Sequence, residues 1–222
     1  MSETPIYDFV RRYADAAPAR LHMPGHKGVV RLGPEPGDIT EICGADTLYE
    51  SDGIIARSEE IAGGLFGFGR TLYSAEGSSQ CIKAMIYLAL QTDGGKRRRI
   101  LAARNAHRAF IHACGLLGVE PDWLYPEEDG TDGGSPCACP VSPEGVREAL
   151  SGRAELPLAL YITSPDYLGG LADIAGISAV CREFRIPLLV DNAHGAYLKF
   201  LEPSRHPIDL GAFMSSDSAH KT

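Results

Sequence analysis

Three features of the 222-residue sequence predict an α/β protein with a mostly parallel sheet covered by helices on both faces. Its strand-length apolar runs lack the polar alternation of a half-exposed sheet, helical periodicities separate them, and turn residues punctuate the joins. Taken in order, Ser79 to Thr92 carries Ile82, Met85, Ile86, Ala89 and Leu90 at i, i+3, i+4, i+7 and i+8, the stripe of a core-facing helix. Arg99 to Ala103 reads as a short strand, followed by a helix from about Ala106 to Leu117 that Gly118 ends. Pro121 to Tyr125 is the next strand, and Ser142 before Pro143 supplies the N-cap and first position of another helix. Leu156 to Ile162 reads as a buried strand, Asp173 to Phe184 as a helix, and Pro187 to Asp191 and Ile208 to Met214 as two more strands. Ligands of such sheets gather at the carboxyl ends of the strands.

Composition narrows the function classes. Twenty-one basic against 29 acidic residues leave a net charge of −8, so no nucleic-acid partner is expected. No apolar run approaches the length that spans a bilayer, and no membrane association is expected. The first 18 residues carry Glu3, Asp8, Arg11, Arg12 and Asp15 where a secretory signal would be apolar, so a cytoplasmic location is expected. Gly and Pro make up 40 of the 222 residues, about 18% against an ordinary ~12%, which points to many turns. The six cysteines at 43, 81, 114, 137, 139 and 181 are expected as reduced thiols. Their one close pair, Cys137 and Cys139, has neither the zinc-ribbon nor the thioredoxin spacing. The stretch Asp129 to Pro140 reads as a surface loop.

Four polar segments lie at strand ends or helix starts. Ser74 to Ser79 precedes the first striped helix: Gly77 lets the backbone approach a ligand, and the free N–H groups with the hydroxyls of Ser78 and Ser79 suit a phosphate, although a serine N-cap is the plainer reading. His107 follows the Arg99 strand, where it can stack on a planar ligand or simply cap the next helix. Asp191 ends an apolar strand, a costly place for a carboxylate unless it meets a cation or donor, and His194 follows three residues on. No G-x-S-x-G elbow accompanies this pair, and a metal set of Asp191, His194 and His220 is the lesser alternative. Of the five lysines, only Lys221 follows a predicted strand with a polar lead-in, Ser218-Ala219-His220, so it is the candidate for an imine-forming lysine. A phosphate cradle, a ring-stacking histidine, a carboxylate for a pyridinium nitrogen and an imine-forming lysine, in that chain order, are the requirements of pyridoxal 5'-phosphate.

Around these positions the chain resembles the Orn/Lys/Arg decarboxylase family of pyridoxal-phosphate enzymes. The resemblance is carried by Met23 to Gly28 (MPGHKG), Asp38 to Glu41 with Gly44 to Asp46, Gly77-Ser78-Ser79, Asn105-Ala106-His107, the Ser164 to Gly169 segment, Asp191 to Ala196, and Ser218 to Thr222. It implies the large domain of the aspartate-aminotransferase type of fold (fold type I), with residues 1–50 as an N-terminal arm, residues 51–222 as an incomplete cofactor domain, and a missing small C-terminal domain. The chain is accordingly expected to be a fragment. The resemblance implies that Lys221 carries the cofactor, Asp191 holds its ring nitrogen protonated, His107 stacks on the ring, His194 lies near the ring oxygen or the substrate carboxylate, and Gly77, Ser78, Ser79, Ser218 and His220 bind the phosphate. No metal is implied. The implied activity is decarboxylation of arginine, lysine or ornithine to the amine and CO2, a step of polyamine biosynthesis, by a homodimer or higher homo-oligomer. An aminotransferase or other pyridoxal-phosphate lyase of the same fold, or a non-catalytic remnant, are the alternatives. The sequence departs from the family pattern at Asn192, Tyr197 and the Arg108-Ala109 pair.

Overall fold

The computed structural model describes residues 3–67, 69–126 and 137–221. The chain forms two compact units, Met1–Tyr73 and Ser74–Thr222.

The first unit holds two helices, α1 (Pro5–Ala16) and α2 (Ile54–Phe66), joined by a long irregular segment with one 3-10 turn at Glu35–Gly37. Polar contacts organise that segment. The Glu35 carboxylate accepts backbone N–H groups from Arg31, Leu32 and Gly33 at 2.7 to 3.1 Å. Asp46 accepts four more, from Thr47, Asp52, Gly53 and Ile55, at 2.8 to 3.2 Å. Arg20 donates to the carbonyls of Glu35 and Pro36 at 3.1 and 2.5 Å and lies over the Tyr13 ring. The MPGHKG motif folds back against this arginine. Gly28 has φ +76°, and a Cβ there would stand 2.6 Å from the Arg20 guanidinium carbon, so no larger residue fits without displacing it.

The second unit is the predicted α/β layer. Its elements are α3 (Ser78–Thr92), β1 (Arg99–Ala103), α4 (Arg108–Leu117), β2 (Glu120–Leu124), α5 (Pro143–Ser151), β3 (Leu160–Thr163), α6 (Ile174–Glu183), β4 (Leu188–Asn192) and β5 (Met214–Asp217). The five strands form one sheet in the order β2-β1-β3-β4-β5, with every neighbouring pair parallel. One face packs under α3 and α4 around Ile82, Ile86, Phe110, Ala102, Tyr161 and Leu189, and the other packs under α5 and α6 around Leu101, Val146, Leu160, Ile162, Ile177 and Val190. The stripe expected for α3 is its set of buried residues. Pro121 sits inside β2, which is tolerated because β2 is an edge strand and one missing N–H costs the ladder little there.

Three local expectations are corrected. The apolar run from Leu156 becomes a strand only at Leu160, with Leu158 and Ala159 buried on its approach. Ile208 to Met214 is not a strand. Pro207 and the positive φ of Gly211 fold it into a turn whose Ile208 and Leu210 still pack on the core, and the strand proper is the polar Met214–Asp217. At the start of α3 neither Ser78 nor Ser79 is the N-cap. That position is Gly77, at φ +71°, and no side chain caps the first turn. The cap expected at Ser142 is present, accepting from the Gly145 N–H, and Asp173, expected inside its helix, is the N-cap of α6 and accepts from the Gly176 N–H. Most of the stretch Asp129 to Pro140 lies outside the described residues. No helix among the described residues is long and apolar enough to cross a membrane.

Candidate functional site

His107, Asp191, His194, Ser218, His220 and Lys221 lie at or just past the carboxyl ends of strands, where a parallel sheet leaves room for a ligand, and Gly77, Ser78 and Ser79 lie at the start of α3. Asp191 is the penultimate residue of β4 and only 3% exposed. Its Oδ2 accepts the Tyr161 hydroxyl at 3.2 Å and its Oδ1 the Ala193 N–H at 3.2 Å. Burial pushes the Asp191 carboxyl above its ordinary value against these two bonds, and His107 and Lys221 lie close enough to favour the ionised form.

His194, in the loop after β4, is half-buried and receives the Lys221 ammonium, whose Nζ donates to Nε2 at 3.2 Å. With Nε2 accepting, the ring proton belongs on Nδ1. The Tyr167 ring meets His194 edge-on, centroids 5.8 Å apart. Ser218 is buried just past β5 and its hydroxyl bonds His220 Nδ1 at 3.0 Å, so both lead into Lys221 on the same short segment. His107 serves as the N-cap of α4, its Nδ1 accepting the Ala109 N–H at 3.2 Å, while the residue as a whole stays exposed. Capping and facing the strand ends are therefore compatible in one side chain.

α3 approaches this edge from the same face. Its first turn has no side-chain cap, and Ser78 and Ser79 are half-buried there. Gly77 has open space around the Cβ position and a φ that favours glycine. One turn on, the Cys81 thiol faces Ser74 and Ser216, and burial raises it above the ordinary thiol range, which keeps it protonated.

Some polar contacts lie outside the sequence reading. Tyr161, read only as part of a buried strand, reaches Asp191 with its hydroxyl. Asp217 at the end of β5 accepts from buried His206 at 2.9 Å and from Ser215 at 2.8 Å, and also bonds the Asn192 amide, tying β4 and β5 at the ends that carry Asp191 and lead to Lys221. The Asn105 and Asn192 side-chain carbonyls are buried at this edge without a hydrogen-bond partner among the described residues. The signal for Tyr161 is visible in retrospect: a lone hydroxyl-bearing aromatic in an apolar strand, next to a strand that ends in aspartate. No group of three His, Cys, Asp or Glu side chains among the described residues is arranged to hold a metal ion, and Cys43, Cys81, Cys114, Cys139 and Cys181 are thiols outside any disulfide.

The chain has relatives among known proteins. Arginine decarboxylase of Bacillus subtilis (strain 168) is 30% identical over 230 residues, covering 99% of this chain and 45% of that protein. The uncharacterized protein YaaO of the same organism is 32% identical over 229 residues, covering 99% of the chain and 46% of YaaO. The chain thus spans just under half the length of these relatives. Among solved structures, mouse CSAD superposes with a TM-score of 0.60 at 18% identity, covering 76% of this chain and 38% of that one. Oryza sativa TDC, solved with PLP and tryptamine, superposes with a TM-score of 0.56 at 17% identity, covering 75% and 38%. At those identities the likeness is one of fold. Residues 4–222 match the family model described as Orn/Lys/Arg decarboxylase, major domain, and to that family this chain belongs.

Proposed function

We propose that this chain is the cofactor-carrying portion of a pyridoxal-phosphate-dependent decarboxylase of basic amino acids, with arginine as the first substrate to test. The observation that carries this reading is the convergence at one sheet edge of a lysine amine 3.2 Å from an imidazole and a buried, hydroxyl-bound carboxylate on the neighbouring strand end. The donor set fits the cofactor. A carboxylate whose burial disfavours its own charge is matched by a cationic ring nitrogen, and an uncapped helix start beginning at a glycine suits a phosphate. The relatives named arginine decarboxylase support the same class.

In this reading Lys221 anchors the cofactor, Asp191 keeps the ring nitrogen protonated, and His107 covers the ring. Ser78, Ser79, Ser218 and His220 bind the phosphate, with Gly77 admitting it to the helix start. When bound, the cofactor supplies the electron sink that lets an amino acid lose CO2. His194 holds the Lys221 amine oriented through its Nε2 and lies where it can meet the ring oxygen or a substrate carboxylate. A homodimer or higher homo-oligomer in the cytoplasm, as the family resemblance implies, is part of the proposal.

The test is chemical. The chain is incubated with pyridoxal phosphate, reduced with sodium borohydride and digested, and the label is mapped. A label on Lys221 is expected, and a fully occupied chain with its label on another lysine, or on none, overturns the assignment. Release of CO2 and amine from arginine, lysine and ornithine then separates decarboxylation from amino transfer, which would yield a keto acid.

A further inference from the structure

What fixes Asp191 lies one strand away. The parallel register sets Tyr161 of β3 opposite Leu189 of β4, so Tyr161 shares a sheet face with Leu189 and Asp191, two residues behind the carboxylate. Two residues of strand span about 6.6 Å, close to the reach of a tyrosine side chain. A tyrosine at this register delivers its hydroxyl to the strand end while its ring stays in the core. Tyr161 does so: it is fully buried, its ring stacks on Phe110 with centroids 4.3 Å apart, and its hydroxyl donates to Asp191 Oδ2 at 3.2 Å. Among the described residues it is the one side-chain hydrogen-bond donor to Asp191. The Ala193 N–H serves the other oxygen.

The contact has chemical weight because of where it sits. Burial alone drives a carboxyl toward its neutral form, and a neutral acid cannot pair with a cation. Each hydrogen bond to the charged form opposes that drift. Tyr161 is suited to this because burial and the neighbouring Asp191 hold its phenol protonated, so it remains a donor. The other groups that act on Asp191 are His107 at the start of α4 and Lys221 beyond β5, and Cys114 of α4 acts on Tyr161. His107 and Lys221 are both exposed, whereas the tyrosine is locked in the core.

We propose that Tyr161 is a positioning residue for Asp191: its buried hydroxyl keeps the carboxylate charged and aimed past the strand end, ready for a cationic ring nitrogen. This deepens the cofactor reading above and rests on it.

The test uses the full chain free of cofactor. Tyr161→Phe keeps the ring and removes only the hydroxyl. Asp191 is titrated by carbon-13 NMR of carboxyl-labelled aspartate, its signal assigned by its loss in Asp191→Asn. The midpoint in Tyr161→Phe is expected about one pH unit higher than in the parent. The dissociation constant for pyridoxal phosphate is expected to rise about tenfold, and to show no such rise when Tyr161→Phe is placed on Asp191→Asn. An unchanged midpoint, or equal weakening in both backgrounds, overturns the proposal. If the phenylalanine variant does not fold, the parent protein still decides: the Tyr161 ring-carbon signal must follow the Asp191 titration, and a signal that stays still through it overturns the proposal. The titration needs no cofactor, so its failure is read separately from a failure to label Lys221.

Discussion

Glu35 and Asp46 in the first unit and Asp191 in the second are all carboxylates held by protein donors, yet they are pulled in opposite directions. The N–H of Leu32, then that of Glu35 itself and those of Gly33 and Arg31, draw Glu35 from its ordinary 4.5 to about 2. At Asp46 desolvation pushes upward, but four backbone N–H groups together still bring the carboxyl to about 2. At Asp191 desolvation wins over one N–H and one phenol, and the carboxyl is raised. The difference separates two uses of the same group. A carboxylate saturated with amides organises a loop and has nothing left to offer a ligand. One that is buried with too few donors is an unfinished site, and what finishes it is a cation.

The largest expected effect concerns the second kind. If the proposed decarboxylase reading holds, Asp191→Ala is expected to lower decarboxylation by the loaded protein on the order of 10²–10³-fold while the borohydride label on Lys221 persists. A rate near that of the parent would remove Asp191 from its proposed role.

Next in size is the core that holds Asp191 in place. Phe110 is fully buried between Tyr161 and Trp123, and Phe110→Ala is expected to destabilise the second unit by about 3–5 kcal/mol. The chain has one tryptophan, Trp123, so its fluorescence in a denaturant titration reports this unit directly.

Acid then sharpens the contrast, because the two kinds of carboxylate respond with opposite sign. Glu35 and Asp46 are lowered in the folded state, so their stabilisation is present above their ordinary values of 4.5 and 3.8 and is lost as pH falls toward about 2. Asp191 is raised, so its contribution is present below its ordinary 3.8 and is lost as pH rises through its folded-state value. In the cofactor-free chain, amide exchange at Leu32, Gly33, Gly53 and Ile55 is expected to quicken on acidification beyond the intrinsic pH dependence, and Asp46→Asn to quicken it at Gly53 and Ile55 at neutral pH. Asp191→Asn is expected to raise the melting temperature of the second unit at neutral pH. Loss of stability there would mean that the charge is already matched without a ligand.

The smallest effect is a cap. Ser142→Ala leaves the Gly145 N–H without its acceptor and is expected to cost about 1 kcal/mol, again read by Trp123 fluorescence.

Much of the second unit was legible because its signals are local. Continuous apolar strands, the α3 stripe and the Ser142 cap each depend on neighbours within a few residues. The errors arose where burial and hydrogen bonding part company: Ile208 and Leu210 look like strand because they are apolar, but Pro207 and Gly211 place them, half-buried against the core, in a turn. The candidate site was legible as a set of strand-end positions, Asp191 through Lys221, since a parallel sheet makes those ends adjacent. What stayed hidden is non-local. The Tyr161 to Asp191 contact spans 30 residues and depends on register between strands, and the His206, Asp217 and Asn192 ties depend on a turn that the sequence disguises as a strand. The amide cradles of Glu35 and Asp46 have no periodicity at all, because backbone groups carry them.

The proline in β2 has a consequence for how the molecule behaves in a crowd. An outermost strand exposes a row of hydrogen-bonding groups that another chain can copy and extend. Here Pro121 removes one donor from that row, while Glu120 and Asp122 on either side are charged and tethered across to Arg99. A strand approaching this border meets a gap followed by fixed charge, which makes the β2 side a poor seed for aggregation.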